Sequence, residues 1–130
     1  MNYWIGLDIG LKWTGIAISN NLDIVKPRKT VKTEHLLREL RDLNKEYNFE
    51  GIVLGFPLTT KGKIGQRAKF VQKIKKEIEK EINIPIKLQD ERFTTREATE
   101  IAAQLGKKRD RKLIDKIAAS LILKGYLDEN

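Results

Sequence analysis

The stretch that decides the fold is YWIGLDIGLKWTGIAIS, residues 3–19. Two runs rich in apolar and β-branched residues, Tyr3–Ile9 and Thr14–Ser19, flank a glycine-containing turn, and this spacing predicts a β-hairpin. The first run carries a carboxylate, Asp8. Burying a carboxylate costs several kcal/mol at the least unless the group is neutralised, paired or bound to a metal. Asp8 is therefore the first candidate functional residue.

The rest of the chain alternates between predicted helices and strands. The segment around 23–31, interrupted by Pro27, fits either an edge strand or a loop. Thr33 is a predicted N-cap. The further predicted elements are helices over Glu34–Tyr47, Phe70–Ile82, Thr94–Leu105 and Leu113–Leu127 and strands over Gly51–Pro57 and Ile84–Leu88. This order predicts one α/β domain over residues 1–130, with a central mixed β-sheet flanked by helices.

Composition narrows the classes of function. The chain has 130 residues, 26 Lys+Arg against 18 Asp+Glu, and a formal net charge of +8, which favours a polyanionic partner such as nucleic acid. It contains no cysteine and one histidine, His35, which excludes disulfides, thiolate metal sites and a histidine-based zinc site. No apolar run approaches the ~20 residues of a membrane span, and no signal peptide opens the chain. We expect a cytoplasmic protein without membrane contact.

Two further carboxylates stand out by their position. Glu91 follows the predicted strand Ile84–Leu88, where it could also be a surface acid or a partner of Arg92. Asp115 shares a helical face with two alanines and an isoleucine, which would let its helix approach the sheet closely. Alternatively, Asp115 lies in the first helical turn and stabilises the helix dipole by ~0.3–1 kcal/mol.

Convergence of the three acids would explain all of them together. Hard divalent cations such as Mg²⁺ and Mn²⁺ prefer carboxylate oxygens, water and phosphate as ligands. Pairs of such ions support the hydrolysis of phosphodiester bonds. Asp8, Glu91 and Asp115 are therefore the predicted catalytic and metal-binding residues, and Mg²⁺ or Mn²⁺ is the predicted cofactor.

Four blocks of the sequence carry a family resemblance: GLDIGLKWTGIAIS (6–19), GFPLTTKGKIG (55–65), DERFTTREA (90–98) and IDKIAASLIL (114–123). Together they resemble the YqgF family, which has an RNase H-like fold. The resemblance implies a metal-dependent nuclease with the acidic triad Asp8, Glu91 and Asp115. It implies processing of the 5′ end of pre-16S rRNA in ribosome biogenesis, or else cleavage of branched DNA by a Holliday junction resolvase-like nuclease.

Nucleic-acid contacts are predicted around the acids, in the glycine-bearing loop and in the basic segment before the last helix. The residues are Lys12, Trp13, Lys61, Lys63, Arg67, Arg92, Thr94, Thr95, Lys107, Lys108 and Arg109. The YqgF pattern commonly has arginine at position 13. Trp13 therefore either stacks on a base or packs at the hairpin tip.

Other classes of function remain open at this point. A hairpin with an Asp-x-Gly sequence also cradles phosphate in actin-like and sugar-kinase ATPases, although that chemistry uses two domains. A non-catalytic RNA-binding ribosome-maturation factor could keep the acids for a structural ion. Pre-rRNA is the favoured partner and branched DNA the other. No apolar stripe suited to a two-fold dimer is visible, which favours a monomer.

Overall fold

The computed structural model describes residues 3–20, 24–57, 65–91 and 94–129. Its strands are β1 (Tyr3–Ile9), β2 (Trp13–Ser19), β3 (Val25–Lys32), β4 (Phe49–Phe56) and β5 (Ile86–Asp90). Its helices are α1 (Leu36–Tyr47), α2 (Gln66–Glu81), α3 (Thr94–Gln104) and α4 (Arg111–Glu129), with a 3₁₀ turn over Thr33–His35.

The five strands form one mixed sheet in the order β3-β2-β1-β4-β5. β1 and β2 pair antiparallel, with Asp8 opposite Gly15, and β2 pairs antiparallel with β3. β4 pairs parallel with both β1 and β5. The predicted hairpin and the mixed α/β sheet are confirmed, and the segment that fitted either an edge strand or a loop is the edge strand β3.

The two faces of the sheet carry different helices. Alternate residues of β1, among them Ile5, Leu7 and Ile9, pack into a core with α1 and α2. The opposite face packs against α4, where Ala17 and Val53 contact the helix. Because successive strand residues point to opposite faces, Asp8 lies on the face that α4 covers. None of the described helices is long and apolar enough to cross a membrane.

Several predicted boundaries are wrong by a few residues, among them the start of α2 at Gln66, and two of the differences bear on the site. β5 ends at Asp90 and not at Leu88, because its parallel pairing with β4 continues to Phe56, so Glu91 follows the strand directly. The last three residues before α1 form the 3₁₀ turn, and Thr33 does not cap it. The Thr33 hydroxyl instead donates to the carbonyl oxygen of Gly10 at 2.7 Å and lies 2.8 Å from the Thr14 hydroxyl, so it joins the turn to the hairpin.

Candidate active site

Three separate elements bring the predicted acids to the α4 side of the sheet. Asp8 projects from β1, and only 5% of it is exposed. Glu91 follows β5 and is equally buried; its carboxyl carbon would lie 2.9 Å from a Cβ atom added at Gly55. The absence of a side chain at Gly55 therefore makes room for the Glu91 carboxyl group.

Asp115 approaches the same region through the backbone of α4. A Cβ atom added at Gly15 would lie 2.0 Å from the carbonyl oxygen of Asp115, and Gly15 is the register partner of Asp8. The helix begins at Arg111, so Asp115 lies beyond its first turn, where the helix dipole has little effect. The close packing of α4 on β2 is thus the better explanation for the position of Asp115.

Arg67, at the start of α2, is the cation of this acidic centre. Its Nη2 donates to Asp8 Oδ1 at 2.9 Å and to the carbonyl oxygen of Ile9 at 3.4 Å, and it lies 3.8 Å from Glu91 Oε1. The Arg67 side chain is 43% exposed. A guanidinium that is half open to solvent thus pairs with Asp8 and lies within ion-pair distance of Glu91.

The acids have raised pKa values because burial disfavours their charged forms. Burial raises the pKa of Glu91 to about 8, and the neighbouring charge of Asp8 adds to the shift. Burial also raises the pKa of Asp8, against the opposing effect of Arg67. The pKa of Asp115 is raised to about 6, first by burial and then by Asp8. The raised pKa values of both acids favour a proton on the Asp8–Glu91 pair in the metal-free protein.

One oxygen of the centre, Glu91 Oε1, is buried, and none of the residues that the structure describes donates a hydrogen bond to it. Leaving a buried polar atom unpaired is costly. Within the described part of the chain, no three acidic or histidine side chains are arranged to hold an ion as they stand. Even so, the orphaned Glu91 oxygen and the adjoining carboxylate of Asp8 are the ligands that a hard divalent cation prefers. Such an ion would replace the Arg67 guanidinium as the positive charge beside Asp8.

The sequence and the fold of the chain are similar to those of known proteins. Residues 2–129 match the RuvX family, described as Holliday junction resolvase. The chain belongs to the RuvX family. This confirms the resemblance to YqgF, another name for the same group, and the prediction of a nuclease, a hydrolase that acts on nucleic acid.

Two RuvX relatives show how far the similarity extends. The relative from Bacillus subtilis is 39% identical over 132 residues, covering 95% of this chain and 96% of the relative. The relative from Dictyoglomus turgidum is 39% identical over 130 residues, covering 95% and 92%. Both carry the name "Putative pre-16S rRNA nuclease".

A solved structure confirms the fold of this RuvX chain. T. thermophilus RuvC in complex with a Holliday junction substrate superimposes with a TM-score of 0.64, covering 99% of this chain and 96% of RuvC. The two sequences are 12% identical, so the likeness concerns the fold alone. It confirms the predicted RNase H-like α/β architecture.

Those of the predicted nucleic-acid contacts that the structure describes lie in four regions of the RuvX chain: the hairpin, the starts of α2 and α3, and the connection between α3 and α4. Lys12 is exposed in the hairpin turn, and Lys107, Lys108 and Arg109 are exposed between α3 and α4. Thr94 is buried at the start of α3, where its N–H donates to the carbonyl oxygen of Glu91 at 3.0 Å. The next residue, Thr95, is exposed. Lys61, Lys63 and Arg92 lie outside the described residues.

Trp13 and Arg67 have structural partners in the RuvX chain. The Trp13 ring is half-buried at the hairpin, with Lys112 Nζ of α4 at 4.4 Å from its centroid; stacking on a base stays a prediction. Arg67 contacts Asp8 and Glu91, a role that the sequence prediction missed. The signal for it was weak, since Arg67 stands beside a polar loop like any solvated cation.

The raised pKa values predict how pH affects the metal-free RuvX protein. Folding raises the pKa of Glu91 from its ordinary value of 4.5 to about 8, so Glu91 binds its proton more tightly in the folded protein than in the unfolded chain. This proton stabilises the fold fully below pH 4.5, and the stabilisation is lost as pH rises through about 8. We expect Tm in EDTA to fall by several degrees between pH 5.5 and pH 8.5, which corresponds to a loss on the order of 1 kcal/mol or more in the free energy of unfolding.

The control for this pH effect is Glu91→Gln, which resembles the protonated acid and should show a much smaller decrease in Tm. Metal binding should have the opposite dependence, because a bound cation needs ionised carboxylates; the apparent affinity for Mn²⁺ should rise between pH 6 and pH 8. A wild-type Tm in EDTA that is flat, or that rises with pH while Glu91→Gln behaves identically, would contradict the assignment.

Proposed function

We propose that this protein is a divalent-metal-dependent nuclease that hydrolyses phosphodiester bonds, with Asp8, Glu91 and Asp115 as its catalytic and metal-binding residues. In this proposal the whole chain, residues 1–130, forms one nuclease domain, located in the cytoplasm, and its substrate is the 5′ end of pre-16S rRNA. The observation that carries the proposal is the convergence of two buried acids, Asp8 and Glu91, beside Asp115. Membership of the RuvX family supports the class of reaction, and the names of the relatives support the RNA substrate.

The three acids would hold Mg²⁺ or Mn²⁺. Asp8 contributes a carboxylate from the sheet, Glu91 contributes the orphaned Oε1, and Asp115 contributes a half-buried carboxylate from α4. A bound divalent cation supplies charge stabilisation for phosphodiester hydrolysis and makes a water molecule a better nucleophile at neutral pH. Proton loss from Glu91 would accompany loading of the site, because its pKa lies above neutrality in the metal-free protein.

The remaining residues of the centre would neutralise the charge of Asp8 and hold Glu91 in position. Arg67 neutralises Asp8 in the metal-free state, and it is half exposed, so its guanidinium can turn towards a phosphate group. The buried Thr94 supports Glu91 through the backbone. Contacts of nucleic acid with Lys12, Lys61, Lys63, Arg92, Thr95, Lys108 and Arg109 remain predictions of the same proposal.

A second candidate function is the resolution of branched DNA. The description of the RuvX family as Holliday junction resolvase favours it. Symmetric cleavage of a junction requires two active sites related by a two-fold axis. The monomer that we predict from the sequence therefore favours RNA.

The deciding experiment compares the two substrates directly. End-labelled RNA carrying the pre-16S leader and an end-labelled four-way DNA junction are incubated with wild-type protein in Mg²⁺, in Mn²⁺ and in EDTA. We expect metal-dependent cutting of the RNA. Cutting of the junction alone would move the assignment to recombination, and binding of either substrate without cutting would instead support the non-catalytic ribosome-maturation factor.

A further inference from the structure

A concave surface rich in basic residues lies next to the acidic centre. It is a groove of about 410 Å³ between the edge strand β3 and the start of α4. The basic residues that line it, which we call the basic groove, are Arg28, Lys29, Lys107, Lys112 and Lys116. The Arg28 guanidinium lies over the Tyr47 ring, 6.0 Å from its centroid. Of these residues, Lys107 is among the nucleic-acid contacts predicted from the sequence, and Lys112 ends the same basic segment.

The charge of the basic groove is mostly uncompensated. Lys29 pairs with Glu39, and the acid in the lining, Asp110, accepts a hydrogen bond from the N–H of Leu113 at 3.1 Å at the start of α4. Among the described residues, no carboxylate forms an ion pair with Lys107, Lys112 or Lys116. These three ammonium groups would repel one another at low ionic strength, and an anionic ligand would relieve that repulsion.

The walls of the basic groove are fixed by contacts within the protein. The Thr30 hydroxyl of β3 donates to the carbonyl oxygen of Lys112 at 2.6 Å, which joins the strand to the helix. The Lys112 ammonium lies over the Trp13 ring, a cation–π contact that restrains the side chain. A site whose walls are already fixed loses less conformational entropy when a ligand binds.

Its position links it to the acidic centre. Thr30 is the register partner of Gly15 across β2 and β3, and Gly15 is in turn opposite Asp8. On α4, Lys112 and Lys116 flank Asp115 in the sequence. The basic groove and the acidic centre therefore lie on adjoining sides of the same helical segment.

We propose that the basic groove binds the sugar-phosphate backbone of the substrate beside the bond that is cut. This inference rests on the proposed nuclease function and deepens it. Phosphate oxygens are the anions that a row of unpaired lysines recognises, and such contacts fix the register of a nucleic acid without reading its sequence. Trp13 then acts as a positioning residue for Lys112.

The test measures binding separately from cleavage. Fluorescence anisotropy in EDTA follows labelled pre-16S leader RNA and a labelled four-way DNA junction over a series of salt concentrations. The variant combines Lys107→Gln, Lys112→Gln and Lys116→Gln. The control combines Lys73→Gln, Lys76→Gln and Lys80→Gln on exposed positions of α2, which lowers the net charge equally but alters the helix on the other face of the sheet.

We expect the groove variant to bind about tenfold or more weakly, with a salt slope reduced by about 2, since each phosphate contact contributes nearly one to that slope. The control should stay close to wild type. Loss with only one probe would still support the groove and would show whether RNA or DNA occupies it. Wild-type affinity and slope in the groove variant, or an equal loss in the control, would overturn the proposal.

The outcome is independent of the nuclease assay. If wild-type protein cuts neither substrate but the groove variant loses binding, the groove proposal is supported and the nuclease proposal fails. If wild-type protein cuts a substrate but the groove variant binds it as tightly as wild type, the nuclease proposal is supported and the groove proposal fails. Should the triple variant unfold, the pair Lys107→Gln and Lys116→Gln keeps Lys112 on Trp13 and gives the same test with a smaller expected loss.

Discussion

Replacing Asp8 with asparagine is expected to abolish metal-dependent cleavage, with a fall in rate on the order of 1000-fold or more. Asparagine keeps the shape of the side chain but has one neutral oxygen in place of a carboxylate, so it binds a hard divalent cation poorly. Asp8 is also the acid that joins Glu91 and Arg67 in one hydrogen-bonded group. Single-turnover cleavage of end-labelled leader RNA in Mg²⁺ and in Mn²⁺ measures the effect.

A second readout separates loss of metal from loss of chemistry. A cation that binds the native protein raises its Tm, by the equivalent of about 2.7 kcal/mol at a concentration 100 times Kd. We expect Mn²⁺ to raise the Tm of wild type and to leave that of Asp8→Asn unchanged. Undiminished turnover by purified Asp8→Asn would remove Asp8 from the catalytic residues. A normal Tm increase with no turnover would place Asp8 outside the metal site.

The matched control is Asp128→Asn, the same chemical change at an exposed acid of α4 that pairs with Lys124. It should retain both cleavage and the Mn²⁺ effect. Without metal, Asp8→Asn relieves repulsion among the acids but also removes the ion pair with Arg67. Because the two effects oppose each other, we expect only a small change in the free energy of unfolding.

Replacing Gly15 with alanine is expected to destabilise the fold by about 3 kcal/mol or more. The new Cβ atom would lie 2.0 Å from the carbonyl oxygen of Asp115, 2.3 Å from its carbonyl carbon and 2.8 Å from the amide nitrogen of Lys116. All three are backbone atoms of α4, so the clash is relieved only by moving the helix away from the sheet. Urea and thermal unfolding should show a decrease in Tm of about 10 °C or more.

Gly125→Ala is the matched control, since Gly125 lies within α4. The atom nearest to its added Cβ, at 3.2 Å, is Nε2 at the end of the flexible Gln89 side chain, and alanine favours a helix over glycine by about 1 kcal/mol. We therefore expect wild-type or slightly higher stability. A wild-type Tm for Gly15→Ala would show that α4 is not held on β2 at this point. Where Gly15→Ala still folds, weakened Mn²⁺ binding is expected because Asp115 is displaced.

Much of the architecture was predictable because it depends on local patterns. The hairpin around Gly10 and the alternation of apolar runs and helical periods indicate a mixed sheet with helices. The sequence does not decide between a strand and a loop for β3, because Pro27 and four cations within Val25–Lys32 weaken its strand pattern. Its pairing with β2 decides the matter, and that pairing is a tertiary contact. Thr33 likewise bonds to the hairpin, where a local rule predicts a cap.

Part of the candidate site was also predictable from local sequence, and part depends on tertiary contacts. Asp8 is recognisable because a carboxylate is costly inside an apolar strand, and the family resemblance adds Glu91 and Asp115. Nothing local indicates that Arg67 lies within ion-pair distance of two of these acids. Nothing local indicates that Arg28 and Lys116 line one groove, because the tie between β3 and α4 joins residues 82 positions apart.

By itself the sequence determined the order of the elements, the fold class and the acids that are out of place in their surroundings, because period, turn chemistry and the cost of burying charge act over a few neighbouring residues. Only the tertiary structure decided which side chains meet. The contact of Asp115 with Gly15, the pairing of Arg67 with Asp8 and the basic groove all depend on which face each element buries and how closely backbones approach, and distant parts of the chain set both.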